Sequence, residues 1–545
     1  MPRPADTLPG TLPNPPLAVG LAGLHDWSTA QPFLDHFKTA RVWSGGLGET
    51  FGAVPFQVLQ QAGAIDPQGW LLAVPPGVDW VGTVFLTDIP AGATDLAGRY
   101  EVSWQGSATF DLLGGRNLEQ DGNRILFDYD PALDKMIQIR VSTVQAPLRD
   151  IRVVQLDNKA RWQSGALFRC EWLDAIRNYR LLRFMDWMQT NGSAQRGWQD
   201  RPRVDDAFYT WRGAPLEVML ALVHEVGADP WFCIPHQADA GWIESFARQV
   251  SETLHPDLKA WYEYSNEVWN FGFPQAQWAA DQARALWPSA GDGFMQFYAA
   301  RSVKMAEILD RVHAGSPVGH VKVISTHTHW LGLEDAVLNA PDWRRDHPLQ
   351  PAPSQHFDAY AVSGYFEGGM SDDKNVARVR AVLAAGSEAQ ARTALRDQLL
   401  SGGWPDSSRT IASLRATWDH HAKVAAAHNL RLVMYEGGPH IVAPAQVVAD
   451  AGLSGFYERF AYSAEMAQVQ TAALDEWRAA GGEQFNIFVE CQGPGPYGYW
   501  GLQRHLGDQN PRWAAVEAWN AGHDGPDSRD GAFIGPADLT RCAAP

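Results

Sequence analysis

The chain has 545 residues, 45% of them hydrophobic, and a formal net charge of −18. That length and apolar content can bury a large core in more than one folded unit. The acidic balance excludes a phosphate-backbone partner, which needs clustered Lys and Arg to release counterions, so nucleic acid is not expected; no apolar run approaches the roughly 20 residues that cross a bilayer.

In chain order, residues 1–16 form a tail rich in Pro (Pro2, Pro4, Pro9, Pro13, Pro15, Pro16) with no basic segment and long apolar core of a secretory leader. Residues 17–24 are a short apolar run that predicts a first strand, and Phe33, Leu34 and Phe37 then fall at helical spacing. From about residue 69 to 156 the period switches to two, as in Tyr100-Glu101-Val102-Ser103-Trp104 and Met136-Ile137-Gln138-Ile139-Arg140-Val141, with turn residues between the runs. This predicts an antiparallel β-sandwich, with Trp70, Trp80 and Trp104 in its core rather than on a sugar-binding platform. Beyond residue 160 strands and helices alternate, which favours a parallel sheet because parallel strands need long crossovers. Strand-like runs fall at 179–185, 230–235, 259–264, 321–326, 357–364, 431–435 and 485–489. With residues 17–24 they make eight, the number that closes a (β/α)8 TIM barrel. The expected organisation is an α/β chain. Residues 17–50 and 161–525 form the barrel, residues 51–160 form the sandwich inserted after the first βα unit, and residues 526–545 are a C-terminal tail.

Cys170, Cys233, Cys491 and Cys542 show neither a disulfide framework nor a metal-type spacing; the first three fall at or near predicted strands, and the set is expected to be mostly reduced, buried thiols. The terminal Cys542-Ala543-Ala544-Pro545 fits a prenylation box poorly. Asn191-Gly192-Ser193 has the form of a glycosylation acceptor but reads as a loop turn.

Active sites of TIM barrels sit where strands end and their loops begin, and polar residues gather at those places here. The first strand ends in Asp26-Trp27. The second carries Arg183, followed by Asp186, Trp187 and Asn191. The third leads to His236, the fourth to Asn266-Glu267, and the fifth to His327, His329 and Trp330. Tyr365 and Glu367 follow the sixth, Glu436 the seventh, and Glu490, Gln492 and Trp500 the eighth. Two of these elements share a design. Trp261-Tyr262-Glu263-Tyr264-Ser265-Asn266-Glu267-Val268-Trp269-Asn270 and Leu432-Val433-Met434-Tyr435-Glu436-Gly437-Gly438 each run from an apolar strand into a Glu beside aromatics.

On these residues the barrel resembles the retaining glycoside hydrolases of clan A, which include endoglucanases, mannanases, xylanases, β-galactosidases and arabinofuranosidases; the sandwich has no part in the likeness. The resemblance implies an acid/base at Glu267, directly after Asn266 at the end of strand four. It also implies a nucleophile at Glu436 after strand seven, bonded by Arg183 and Tyr365. The chemistry asks for the same pair, because an oxocarbenium-like transition state needs one carboxyl to give a proton and another to stabilise positive charge. Glu267, set among Tyr264, Val268 and Trp269, is expected to hold the proton, and Glu436 to keep its charge beside Arg183. Asn266 is expected to hold the sugar 2-hydroxyl. Trp187, Trp330 and Trp500 are candidate platforms or packing. Glu490 and Glu367 are secondary candidates for a sugar hydroxyl, and Glu263 reads as an ion-pair partner. His236, His327 and His329 could ligate a metal, but hydrogen bonding to sugar hydroxyls explains them equally well, so no metal and no cofactor is called for. The expected partner is an oligo- or polysaccharide with an equatorial, β-type linkage, cleaved by double displacement. A transglycosylase on the same residues and a carbohydrate-binding barrel without activity are the alternatives.

Overall fold

β1 (Leu17–Gly20) is apolar and buried at every position, as befits a strand covered on both faces. The computed structural model describes residues 12, 14–405, 407–442, 447–448, 450–495, 498–526 and 542; most of both expected tails, including residues 543–545, lies outside them. After β1 the segment with helical spacing forms one 3-10 turn, His36–Thr39, rather than an α-helix. Asp35 caps this turn by accepting from the Phe37 amide and also accepts from the Val153 amide, which ties the segment to a strand instead of letting it extend.

The antiparallel unit follows. Its strands are β2 (Ser44–Leu47), β3 (Thr50–Val54), β4 (Trp80–Phe85), β5 (Gly98–Leu113), β6 (Arg116–Asp121), β7 (Arg124–Tyr129) and β8 (Ile137–Gln155). They form one continuous sheet in the order β3-β2-β4-β8-β5-β7-β6, which along the chain begins with β2 at Ser44. The pairing of β5 with β8 slips at several points along their length, and bulges of this kind bend and twist a sheet. The sheet curls until Phe85 of β4 and Phe127 of β7, which are not neighbours in it, bring their ring centroids to 6.4 Å. Its two halves thus enclose an apolar core between them, including Tyr100, Phe110, Phe127 and Ile139. Trp70, Trp80 and Trp104 are buried, as their strand-like runs predict.

The chain returns through the helix Cys170–Ile176 to β9 (Leu181–Arg183), β10 (Asp229–Ile234), β11 (Lys259–Tyr264), β12 (Gly319–Ser325), β13 (Ala359–Phe366), β14 (Arg431–Pro439) and β15 (Phe485–Phe488). These seven strands and β1 close a parallel eight-stranded barrel in the order β1-β15-β14-β13-β12-β11-β10-β9. β1 pairs with β15 on one side and with β9 on the other, so the run at the start of the chain completes the cylinder across the intervening sheet. Among the described residues no helix is long and apolar enough to cross a membrane.

Two of the four cysteines depart from expectation. Cys170 and Cys542 are joined in a disulfide, their Cα atoms 5.4 Å apart although 372 residues separate them, while Cys233 and Cys491 are buried and free. Cys170 opens a helix rather than lying in a strand. Spacing along the chain holds no record of such a pairing, which exists only because the fold brings the two positions together.

Candidate active site

Alternation along β11 turns Glu263 into the barrel and Tyr262 outward, where its hydroxyl meets His313. Buried inside, Glu263 accepts from Arg183 of β9 through Nε at 3.2 Å and Nη2 at 2.8 Å, from Trp231 Nε1 of β10 at 3.0 Å and from Ser325 Oγ of β12 at 3.0 Å. This is the ion pair expected of it. The rest of the Arg183 fork points up the barrel, where Nη1 donates to Glu436 Oε1 at 2.6 Å and Nη2 to Asn266 Oδ1 at 2.9 Å. A buried guanidinium is thereby satisfied on every side, as a charge out of water must be.

Beyond β11 the backbone turns sharply, with Ser265 at φ +63° and Glu267 at φ +40°. Side chains other than Gly rarely sit in this left-handed region, and such strain gathers at functional sites. The turn sends Asn266 down to Arg183 and Glu267 into a cavity of about 570 Å³ at the C-terminal ends of the strands. Across that cavity, the register of β14 against β13 slips between Val362 and Ser363, so that Tyr435 is an extra residue opposite no partner. In a regular strand Tyr435 and Glu436 would face opposite ways, but a bulge lets consecutive side chains share one side. Both line the cavity. Glu436 Oε2 accepts from the Tyr365 hydroxyl at 2.7 Å. Glu267 Oε1 accepts from the Tyr435 hydroxyl at 2.9 Å, and its Oε2 from Asn270 Nδ2 at 3.0 Å.

Burial pushes the Glu436 carboxyl up, to about 8, with the nearby Glu267 adding to the rise while Arg183 and Tyr365 oppose it. Its surroundings thus differ from the expected fixed carboxylate. The physical reason is burial first and the neighbouring Glu267 second, which outweigh the Arg183 cation that Glu436 shares with Glu263.

Of the residues singled out in the sequence, Glu267, Glu436, Asn266, Tyr365, His327 and Trp500 line this cavity, as do Asp186, Asn191 and His329, and Arg183 lies beneath it. Trp187, Glu490, His236, Trp330 and Glu367 do not line it. Trp187 is buried in a stack on Trp172 and donates to the Ala22 carbonyl. Glu490 accepts from the Ala22 amide and Trp172 Nε1, buried enough to be pushed up to about 7. His236 packs edge-on against Trp278, and Trp330 lies half-exposed against Phe294. Glu367 is buried and paired with Arg409.

Sequence reasoning missed Tyr435, Arg409 and His440 as lining residues. Arg409 reaches the cavity from the long connection between β13 and β14, and His440 accepts from Trp500 Nε1 at 3.3 Å. Only the position of Tyr435 beside Glu436 hinted at its role. Asn191 Oδ1 accepts from Asn266 and Gln275 and also lines the cavity.

Among the described residues, Glu334, His420 and His421 form a cluster with metal-like spacing, their ligand atoms within 4.8 Å of one another. His421 already spends both ring nitrogens, on the Tyr360 hydroxyl and the Thr328 carbonyl, and His420 pairs with Glu334. The cluster therefore reads as a satisfied hydrogen-bond network.

No family model matches the chain, and no curated protein does. Solved structures to which it is similar include an endo-1,4-β-xylanase from Penicillium canescens, at 11% identity and a TM-score of 0.34, covering 65% of this chain and 90% of that one. They also include an exo-β-1,4-mannosidase from Opitutaceae bacterium strain TAV5, at 13% identity and a TM-score of 0.33, covering 72% and 58%. A β-glucosidase from Thermotoga maritima is similar at 11% identity and a TM-score of 0.32, covering 68% and 88%. Likenesses this faint carry no argument about chemistry; the closed barrel stands on its own strand pairing.

Proposed function

We propose that the chain is a retaining glycoside hydrolase acting on β-type, equatorial linkages of an oligo- or polysaccharide. The observation that carries the reading is the convergence of Glu267 and Glu436 on one cavity at the C-terminal end of the barrel, with Arg183 and Tyr365 bonded to Glu436. One proton shared by the pair suits the chemistry. With it on Glu267, the negative charge rests on Glu436, the carboxyl beside the cation.

Glu267 then protonates the glycosidic oxygen as the bond to the anomeric carbon breaks, and Glu436 forms a bond to that carbon from the opposite face. The leaving sugar departs with the proton. In the second step Glu267, now a base, takes a proton from water; the water oxygen attacks the anomeric carbon, and Glu436 leaves as a carboxylate. Asn266, anchored on Arg183 and Asn191, supports a hydrogen bond to the sugar 2-hydroxyl. Such contacts strengthen in the transition state by several kcal/mol.

A panel of β-1,4-linked gluco-, manno- and xylo-oligosaccharides tests the reading, with the anomeric configuration of the first-formed product read by NMR. Retention is expected. Glu436→Ala and Glu267→Ala should each lower turnover by roughly a thousandfold or more, while Glu436→Ala still binds the sugar. Wild-type turnover in either variant, or inversion at the anomeric centre, overturns the assignment.

A further inference from the structure

The cavity that holds the carboxyls does not end at Asp186. Asp186 also lines a second cavity of about 290 Å³, walled by His25, Trp27, Thr29 and Gly493. Trp27, Thr29 and Gly493 in turn line a third, of about 620 Å³, whose far wall is Asp88, Pro90 and Gly92. Shared residues join the three into one trough. It runs over the loops that follow β9, β1 and β15, which are neighbours in the barrel, and ends on the connection after β4 in the antiparallel sheet.

Trp27 is the exposed indole of this trough. Its ring lies parallel to His25 at 4.5 Å and is 49% exposed, whereas Trp187 and Trp172 close by are wholly buried. Asp26, between the two stacked rings, is buried and paired with Arg41, so the loop that presents them is anchored. The Arg41 guanidinium also lies over the Trp27 ring, 5.6 Å from its centroid, yet about half of the indole stays open to solvent; a half-open flat ring in a concave, partly polar trough fits a ligand with one apolar face and a polar rim, and a sugar ring has that form. At the junction of the first two cavities, among the described residues, no donor bonds the Asp186 carboxyl, which leaves it for a hydroxyl of the ligand.

We propose that this trough binds the substrate as an extended glycan chain, with Trp27 stacked on a sugar ring remote from the two carboxyls and the antiparallel sheet touching the chain beyond it through residues 88–92. The inference rests on the glycosidase reading above. It makes the inserted sheet part of the substrate-binding surface and the substrate a chain of several sugars.

Dependence on chain length tests it, using the full-length chain and, within the oligosaccharide series that it cleaves, lengths from disaccharide to hexasaccharide. The expected result is kcat/KM that keeps rising with length. Trp27→Ala should lower the ratio of hexasaccharide to disaccharide kcat/KM by about tenfold; Trp27→Tyr should keep most of that ratio, and Asp88→Ala should lower it by less. The ratio is the readout because damage to the fold lowers both rates together. Rates independent of length beyond the disaccharide, or a Trp27→Ala loss equal on short and long substrates, overturn the trough and leave the glycosidase reading intact. Cleavage of no series, with no binding of any hexasaccharide to Glu436→Gln, overturns that reading and the trough with it.

Discussion

Arg183 distributes one positive charge between Glu263 and Glu436, with Asn266 as a third acceptor. Two buried carboxyls around one cation leave a negative charge uncompensated, and a proton held in the site is the least costly remedy. This division makes Glu263 a positioning residue whose influence is measurable. Glu263→Gln keeps the side chain's shape and removes the anion that competes for Arg183. The ascending limb of the kcat/KM profile, which follows ionisation of Glu436, is expected to move to lower pH, because more of the cation's field then falls on Glu436. A limb that stays in place while the rate falls would assign Glu263 a packing role only. Arg183 was legible as a site residue because a charge within an apolar strand requires a partner. Tyr435 was not, because its reach to Glu267 depends on a slip in register that no residue pattern announces.

The barrel strands were legible at the level of elements, each as a short apolar run with a polar end, and the structure pairs eight of them into a closed cylinder. Periodicity failed at Phe33, Leu34 and Phe37: Phe33 bridges to Phe168, and only Phe37 enters a 3-10 turn, docked on β8 by the Asp35 carboxylate. The antiparallel unit was legible from its period of two, but its curl depends on where β5 and β8 slip. Gly106 marks one such place, at φ +100°, with an added Cβ falling 2.2 Å from the Pro147 carbonyl oxygen. Backbone cannot step aside as a side chain can. Gly106→Ala is expected to destabilise the protein by at least about 1 kcal/mol, seen as a lower urea midpoint. An unchanged midpoint would mean that the bulge accommodates a side chain there.

Charge and covalent linkage act on the whole molecule. Burial pushes Glu490 up to about 7 and Glu436 up to about 8, so at these two groups the folded state holds more protons than the unfolded one from about pH 4.5 upward until they ionise. These two groups make stability fall as pH rises toward 8. Burial pushes His36 down to about 3, and His236 and His313 down to about 4; at these histidines the folded state holds fewer protons below 6.5, and their contribution makes stability rise with pH up to that value. Lys38, pushed down to about 8 by burial, acts only above the window. The thermal midpoint is therefore expected to peak near pH 6.5 and decline toward pH 8, with Glu490→Gln flattening the decline in scanning calorimetry. A midpoint that climbs steadily from pH 6.5 to 8 would contradict this balance. The disulfide from Cys170 to Cys542 belongs to the same scale, tying a remote terminal residue to the helix that leads into β9. By itself, the order of residues determined the number of barrel strands, the antiparallel character of the insertion and the polar side chains at strand ends, because each leaves a local mark in periodicity or in the cost of burying charge. Only the folded chain decided that Trp187, Glu490, His236 and Trp330 stand off the cavity, that Tyr435 and Arg409 enter it, and that a trough leads from it past Trp27 to the antiparallel sheet. Those outcomes depend on register, on bulges and on which distant loops meet, and short-range sequence patterns encode none of them.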